Sequence, residues 1–106
     1  MPKYLISANY STTGLEGVRA AGAKSRVDAV STMLEAMGGR LESFYFAFGD
    51  TDVFAVADVP DDEAAAAVAM TINSTGAVSI RTTKLLTSDQ VDEALRRSVD
   101  YHPPGT

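Results

Sequence analysis

The chain has 106 residues, of which 45% are hydrophobic and 22% are charged, as in an ordinary globular domain. A net charge of −5 and a pI near 4.6 argue against the basic surface that nucleic acids and anionic membranes require. The sequence has no cysteine, which excludes disulfides, thiolate catalysis and cysteine-bound metals. We expect one domain over residues 1–100, a tail over residues 101–106 and a cytoplasmic location.

The first half of the chain contains strand and helix patterns in turn. Residues 3–10 alternate with a period of two and predict a strand. After a glycine-containing connection, apolar residues at helical spacing predict a helix over residues 23–37, which ends at Gly38 and Gly39. Residues 40–48 and 51–59 predict two strands that pair as a hairpin through a turn at Gly49 and Asp50.

The second half repeats this order. Residues 60–63, with the sequence Pro-Asp-Asp-Glu, are typical of a helix start and predict a helix to residue 74. Residues 77–86 predict a fourth strand, and Ser88 and Asp89 are expected to cap a short helix over residues 88–98. The order predicts an α+β, ferredoxin-like βαββαβ fold. In it, a four-stranded antiparallel sheet carries two helices on one face, and a short C-terminal helix follows.

The alternation predicts different side chains on the two faces of the sheet. The helix-covered face is expected to carry Tyr4, Ile6, Ala8, Leu41, Ser43, Tyr45, Ala47, Val53, Ala55, Ala57, Val59, Val78, Ile80 and Thr82. The opposite face is expected to carry Leu5, Ser7, Asn9, Phe44, Phe46, Phe48, Phe54, Val56, Asp58, Ser79, Arg81, Thr83 and Leu85. A soluble monomer does not leave so apolar a face bare, so we expect a homo-oligomer, a dimer or higher, that pairs through this Phe-rich face. The alternative is that the helix over residues 88–98 covers it.

Residues along most of the chain match the pattern of a known family. They are Tyr4, Tyr10, Gly14, Arg26, Gly38, Gly39, Tyr45, the segments 49–53 and 60–63, and Gly76. In these residues the chain resembles the GYD domain family of small prokaryotic proteins. Thr51 stands where the family signature has a tyrosine, whereas Gly49 and Asp52 match it. The resemblance implies a ferredoxin-like fold and a dimeric α/β-barrel-type assembly. It implies no particular reaction, because related barrels include monooxygenases, isomerases and regulators.

The leading candidate for a binding site is a group of polar and aromatic residues on the Phe-rich face. Its members are Asn9, Phe46, Phe54, Asp58, Arg81 and Thr83. If strand one lies between strands three and four, Arg81 and Asp58 flank Asn9, and Arg81 can hold a carboxylate or enolate oxygen. The structural alternative is an ion pair between Arg81 and Asp58, with Asn9 satisfied across a subunit interface. Tyr10 and Tyr45 are expected to be core rings.

The remaining motifs predict structure. The segment from Gly17 to Ser25 differs by one residue from a phosphate-binding loop, and we interpret it as the closely packed start of a helix. Asp50 and Asp52 are typical of a turn and of side chains that bind backbone N–H groups, and residues 61–63 of a helix cap. His102 is the only histidine and lies in the tail. We therefore expect no metal and no cofactor.

Two kinds of function are open on these grounds. The first is a homo-oligomeric small-ligand-binding or regulatory module. The alternative is a small cofactor-independent enzyme, of the isomerase or monooxygenase type, acting on an enolisable or aromatic molecule. Both predict a small-molecule ligand, and neither requires nucleic acid or a membrane as a partner.

Overall fold

The computed structural model describes residues 1–105 and shows an α+β fold built on one sheet. Its elements are β1 (Lys3–Tyr10), α1 (Thr12–Ala21), α2 (Ala23–Ala36), β2 (Arg40–Phe46), β3 (Val53–Asp58), α3 (Asp62–Ser74), β4 (Val78–Leu85) and α4 (Ser88–Leu95). The strands form an open antiparallel sheet in the order β2-β3-β1-β4. The predicted hairpin of β2 and β3 is confirmed, and β1 lies between β3 and β4.

The connection predicted after β1 is in fact a helix, α1. The Ser11 hydroxyl caps it by accepting a hydrogen bond from the backbone N–H of Gly14 at 3.1 Å. A Cβ atom at Gly14 would lie only 2.1 Å from the carbonyl oxygen of Ala77, so the helix packs tightly against the chain that leads into β4. The glycines lower the helix propensity of this segment, but the cap and the close packing outweigh that cost.

The caps of α3 and α4 show how well local sequence signals place helix starts. The Asp61 carboxylate accepts a hydrogen bond from the N–H of Ala64 at 2.8 Å, which confirms the predicted cap of α3. At α4 the cap is Thr87, whose side chain accepts from Gln90, and the Gln90 side chain in turn accepts from the N–H of Thr87. The prediction that Ser88 and Asp89 cap this helix was therefore off by one residue, because Thr87 and Gln90 form a capping box.

The core lies between the sheet and the helices α2 and α3. Its buried residues are Tyr4, Ala8, Leu34, Val53, Ala55, Ala57, Val59, Ala65, Val68 and Ile80. For β1, β3 and β4, the predicted helix-covered face is confirmed. The small residues of these strands, such as Ala55 and Ala57, allow the helices to approach closely enough for Leu34 to be only 1% exposed.

A β-bulge in β2 reverses the predicted faces of this strand beyond Glu42. Leu41 pairs with Ala57, but Ser43 pairs with Val56, so one extra residue separates the two pairs. A shift of one residue moves every later side chain to the other face. The prediction was therefore wrong for Ser43, Phe44, Tyr45 and Phe46.

The pairing of residues after the bulge shows the outcome. Phe44 and Phe46 lie on the helix side of the sheet, where their ring centroids are 5.2 Å apart and Phe44 packs against the core. Tyr45 instead pairs with Phe54 on the other face and is 71% exposed. Phe48 lies beyond β2, in the loop to β3, and is fully exposed.

The segment that follows β4 extends away from the sheet. Every residue of α4 is exposed, including Val91 and Leu95. The radius of gyration is 17.0 Å, whereas a compact chain of this length has a value of about 13 Å. The alternative in which this helix covers the second sheet face is therefore contradicted, and no segment within residues 1–105 covers that face, here called the open face.

Candidate functional site

The open face consists of rows of side chains that cross the sheet. One row runs from β2 to β4 through Tyr45, Phe54, Ser7 and Arg81, because these residues are register partners. The next row contains Ser43, Val56, Leu5 and Thr83. Phe54 is 42% exposed, and Arg81 and Thr83 are exposed as well. The centre of the open face is therefore apolar, and its edge at β4 carries a cation.

Asp58 lies at the far end of the open face and not beside Arg81. Its carboxylate accepts hydrogen bonds from Lys3 Nζ at 2.8 Å and from Arg40 Nη2 at 3.0 Å. It pairs with Lys3 in the register, whereas Arg81 pairs with Ser7, four residues further along β1 or about 13 Å. The predicted flanking of Asn9 by Asp58 and Arg81 was wrong, and so was the alternative Arg81–Asp58 ion pair.

The buried carboxylate of Asp58 is held in its charged form. The hydrogen bond from Lys3 is the main cause of the lowered pKa of Asp58, and Arg40 adds to it, while burial acts in the opposite direction. Both carboxylate oxygens of Asp58 have a cationic partner. This arrangement stabilises the fold and leaves no oxygen free for a ligand.

Asn9 and Arg81 both contact the loop between β2 and β3. Asn9 Nδ2 donates to the carbonyl oxygen of Asp50 at 2.8 Å, and Arg81 Nη2 donates to Thr51 Oγ1 at 3.4 Å. Thr51, which by the family resemblance stands where the signature has a tyrosine, therefore lies beside Arg81. Of the predicted group, the structure thus brings Asn9 and Arg81 to one loop and leaves Phe54 and Thr83 on the open face. Phe46 and Asp58 lie elsewhere.

Asp52 connects this loop to β1. Its side chain accepts a hydrogen bond from the N–H of Tyr10 at 2.9 Å, and its own N–H donates to the carbonyl oxygen of Ala8 at 2.9 Å. The prediction that Asp52 binds the backbone is therefore confirmed. The acidic residue of the family signature has a structural role here, since it fixes the end of β1 where Tyr10 lies.

A cavity of about 330 Å³ opens beside Tyr10 between α1, α2 and the sheet. Its walls are formed by Tyr10, Thr13, Gly14, Gly17, Val18, Ala21, Gly22, Ser25, Arg26, Ala29, Ala77 and Val78. Most of these residues are small or apolar, and Arg26 is the only charged one. The cavity therefore has the composition of a small-molecule site, with an apolar wall and few polar groups.

The hydroxyl of Tyr10 lies close to the positively charged guanidinium of Arg26 in this cavity. Burial raises the pKa of Tyr10, Arg26 acts to lower it, and Asp52 acts to raise it, and the net result is a raised pKa. The hydroxyl is therefore protonated at neutral pH and can donate a hydrogen bond. Tyr10 is half-buried on the helix side of the sheet, as predicted for this residue.

This cavity was missed in the sequence because α1 was missed. The available signals were Ser11 as a cap, and Leu15 and Val18 at helical spacing after it. Arg26 was noted only as part of the family resemblance. Lys24, the residue that suggested a phosphate loop, has an 88% exposed side chain that pairs with Asp28 at 3.4 Å, and it does not line the cavity.

A second polar group lies at the start of α3 and consists of Tyr4, Asp62 and Lys84. The Tyr4 hydroxyl donates to Asp62, and Lys84 Nζ lies 2.9 Å from the same carboxylate. Asp62 therefore connects α3 to β1 and β4, in place of the predicted capping, which Asp61 provides. The hydrogen bond to Asp62, with burial as a lesser cause, raises the pKa of Tyr4 to about 12, so this hydroxyl is a structural donor.

Two features are absent from residues 1–105, the part of the chain that the structure describes. Within residues 1–105, no group of three or more histidine, aspartate or glutamate side chains is placed to hold a metal ion. Over the same range, no helix has both the length and the apolar character needed to cross a membrane. His102 is exposed and lies 3.2 Å from Asp100 in the tail.

The fold, the open face and the cavity define a small α+β domain with one uncovered sheet face. The model of the GYD domain family matches residues 4–95 of the 106-residue chain. The chain therefore belongs to the GYD domain family, as its resemblance predicted. No curated protein and no solved structure shows a significant match to it.

Proposed function

We propose that this GYD domain protein is a homo-oligomeric module that binds a small ligand. In this proposal its topology is ferredoxin-like, since the strand order β2-β3-β1-β4 corresponds to βαββαβ when α1 and α2 together form the first crossover. Two copies pair through their open faces, as in dimeric α/β barrels. A regulatory role fits the same architecture, because one small domain then both binds the ligand and forms the oligomer.

One observation carries the assembly part of the proposal: the open face is apolar at its centre and uncovered. Phe54, Val56 and Leu5 are adjacent there, and Tyr45 on the edge strand β2 pairs with Phe54. An apolar surface of this kind is normally buried by a partner. A second copy is the economical partner, because two identical faces can pack under a twofold axis.

The charges of the open face are compatible with burial in such an interface. Asp58 is already neutralised by Lys3 and Arg40, and the Asn9 amide already has the Asp50 carbonyl as a partner. Arg81 lies on the edge strand β4, where it stays at the rim of a paired face. Covering the open face therefore buries no unneutralised carboxylate, while the hydroxyls of Ser7, Ser43 and Thr83 need partners across the interface.

The test of assembly compares two phenylalanines. Phe54→Ser removes the aromatic ring at the centre of the open face, whereas Phe48→Ser removes an exposed ring from the loop outside the sheet. We expect the parent and Phe48→Ser to sediment as dimers or larger species at micromolar concentration, and Phe54→Ser to shift towards the monomer. Parent protein that sediments at 11.2 kDa would contradict the proposal.

A second candidate is a cofactor-independent enzyme acting on an enolisable or aromatic small molecule. The observation that favours it is the Tyr10 hydroxyl, a proton donor that lies near Arg26 in one cavity. Water or hydroxide in the open cavity would take the proton from the α-carbon, while Arg26 stabilises the enolate oxygen that forms and Tyr10 hydrogen-bonds to it. The test is exchange of solvent deuterium into pyruvate: exchange that the parent accelerates and Tyr10→Phe does not supports an enzyme, and no acceleration by the parent counts against it.

A further inference from the structure

The size and the lining residues of the cavity beside Tyr10 indicate which class of ligand it can bind. Its volume of about 330 Å³ lies at the small end of the range for ligand pockets, about 300–1,000 Å³. We infer that it binds a small organic carboxylate, with the carboxylate on Arg26 and a short apolar body against the α1 and α2 walls. The inference rests on the ligand-binding part of the proposed function.

The charge at the site indicates an anion. Arg26 is half-buried, and within residues 1–105 no carboxylate oxygen lies within 4.0 Å of its guanidinium. Asp28, the nearest acidic residue along α2, pairs with Lys24 instead. In a chain with a net charge of −5, the charge of this partly buried arginine has no acidic partner, so its guanidinium can take an anionic ligand beside the Tyr10 hydroxyl. The planar guanidinium matches a carboxylate, which it can bind through two parallel hydrogen bonds.

The other polar groups fit a carboxylate better than a phosphate. The Tyr10 hydroxyl is a protonated donor near Arg26, and Ser25 and Thr13 add hydroxyls to the wall. A phosphate or nucleotide carries two or more charges and needs additional cations or a cradle of backbone N–H groups. Lys24 is the lysine closest to Arg26 in the sequence, and it does not line the cavity.

The remaining wall indicates the body of the ligand. Val18, Ala21, Ala29 and Val78 give apolar contacts, and glycines leave the space between them open. A smaller cavity of about 40 Å³ in the core shares Arg26 and Val78 as walls. A short aliphatic or aromatic group attached to the carboxylate can therefore pack against apolar surface on both sides of Arg26.

The experiment is an amide NMR titration with benzoate, and with benzamide as its uncharged isostere. Benzoate is expected to bind with a dissociation constant below about 10 mM and to shift the amides of Gly14, Gly22 and Arg26, whereas benzamide binds at least about tenfold more weakly. Arg26→Gln is expected to weaken benzoate binding about tenfold or more. Arg19→Gln, an exposed arginine on α1 that does not line the cavity, is expected to leave it unchanged.

A second pair of variants tests the location without removing charge. Gly17 lies in α1 on the cavity wall, and a Cβ atom there meets no other atom within 4 Å. Gly17→Leu is therefore expected to fold and to fill the cavity, which abolishes benzoate binding, while Gly17→Ala retains it. Thermal unfolding of each variant shows that the fold is intact.

Three results would overturn the inference. They are no saturable benzoate binding up to about 10 mM, equal binding of benzoate and benzamide, or binding that Arg26→Gln and Gly17→Leu leave unchanged. Benzoate shifts centred on Phe54 and Arg81 would reject this cavity but keep a ligand-binding module. Sedimentation of Arg26→Gln measures assembly separately, so failure of the site and failure of the homo-oligomer are distinguishable.

Discussion

The two faces of the sheet are made from the same four strands, yet one is closed and the other is bare. The helix-covered face is lined at its centre by small residues such as Ala55 and Ala57, and α2 inserts Leu34 against it. The open face carries larger rings, Phe54 on the central strand β3 and Tyr45 on the edge strand β2, and no element within residues 1–105 covers them. Which face the helices cover therefore depends on the size of its side chains and on the path of the connections between the strands. Hydrophobicity alone does not distinguish the two faces.

The largest expected effect comes from the closed face. Leu34→Ala is expected to reduce the free energy of unfolding by about 2–5 kcal/mol, because a fully buried leucine leaves a cavity. Leu5→Ala on the open face is the matched substitution, and at low protein concentration we expect less than half that loss, because Leu5 is only partly buried in one copy. Urea unfolding of both variants measures the difference.

The effect of protein concentration also distinguishes Leu34→Ala from Leu5→Ala. If the open face pairs with a second copy, the cost of Leu5→Ala grows with protein concentration, because dissociation is coupled to unfolding. The cost of Leu34→Ala relative to the parent stays nearly constant. Equal losses for the two leucines in dilute solution would show that the two faces do not differ in burial.

A smaller effect is expected from the ion pairs at the end of the open face. Asp58→Asn is expected to cost about 1.5–3 kcal/mol, since the buried carboxylate accepts charged hydrogen bonds from Lys3 and Arg40. Glu42→Gln, which removes only the exposed partner of Lys3, is expected to cost about 0–1 kcal/mol. Chemical unfolding at neutral pH measures both values, and similar losses would refute the distinction between them.

The pH dependence of this pair follows from the lowered pKa of Asp58. Because the folded pKa is below the unfolded value of about 3.9, the stabilisation is present above that pH. It is lost as the pH falls through the folded value. We therefore expect the stability difference between the parent and Asp58→Asn to shrink below about pH 4. A difference that stays constant from pH 7 to about pH 2 would contradict the assignment of charge to Asp58.

Much of the fold could be predicted because local and tertiary preferences agree. The alternation in β1, β3 and β4 identified the helix-covered face, and Asp61 identified the start of α3. The bulge at Glu42 could not be read from the alternation, since one extra residue changes the register without changing the pattern of residue types. The helix α1 was hidden by its glycines, which are tolerated because Gly14 packs against the Ala77 carbonyl.

The site was harder to predict than the fold for a related reason. The sequence predicted that Asn9 and Arg81 lie close together on one sheet face. The antiparallel register does bring both side chains to the loop between β2 and β3. Asp58 was misplaced because a shared face does not determine the distance along a strand. The cavity beside Arg26 depends on α1, so no reading of the strands alone could have located it.

The most direct test of the central claim, that a second copy covers the open face, uses the absence of cysteine from the chain. Ser7→Cys places one thiol at the centre of the open face, and Ala67→Cys places one on the exposed side of α3. We predict that at about 100 µM protein Ser7→Cys reacts with a maleimide at least about tenfold more slowly than Ala67→Cys. Where the dimer dissociates on dilution to about 1 µM, Ser7→Cys reacts faster by up to about tenfold, since the monomer fraction of a dimer rises at most with the square root of the dilution, while Ala67→Cys reacts at the same rate at both concentrations. Ser7→Cys that reacts as fast as Ala67→Cys at both concentrations, in protein that is folded, would contradict the account.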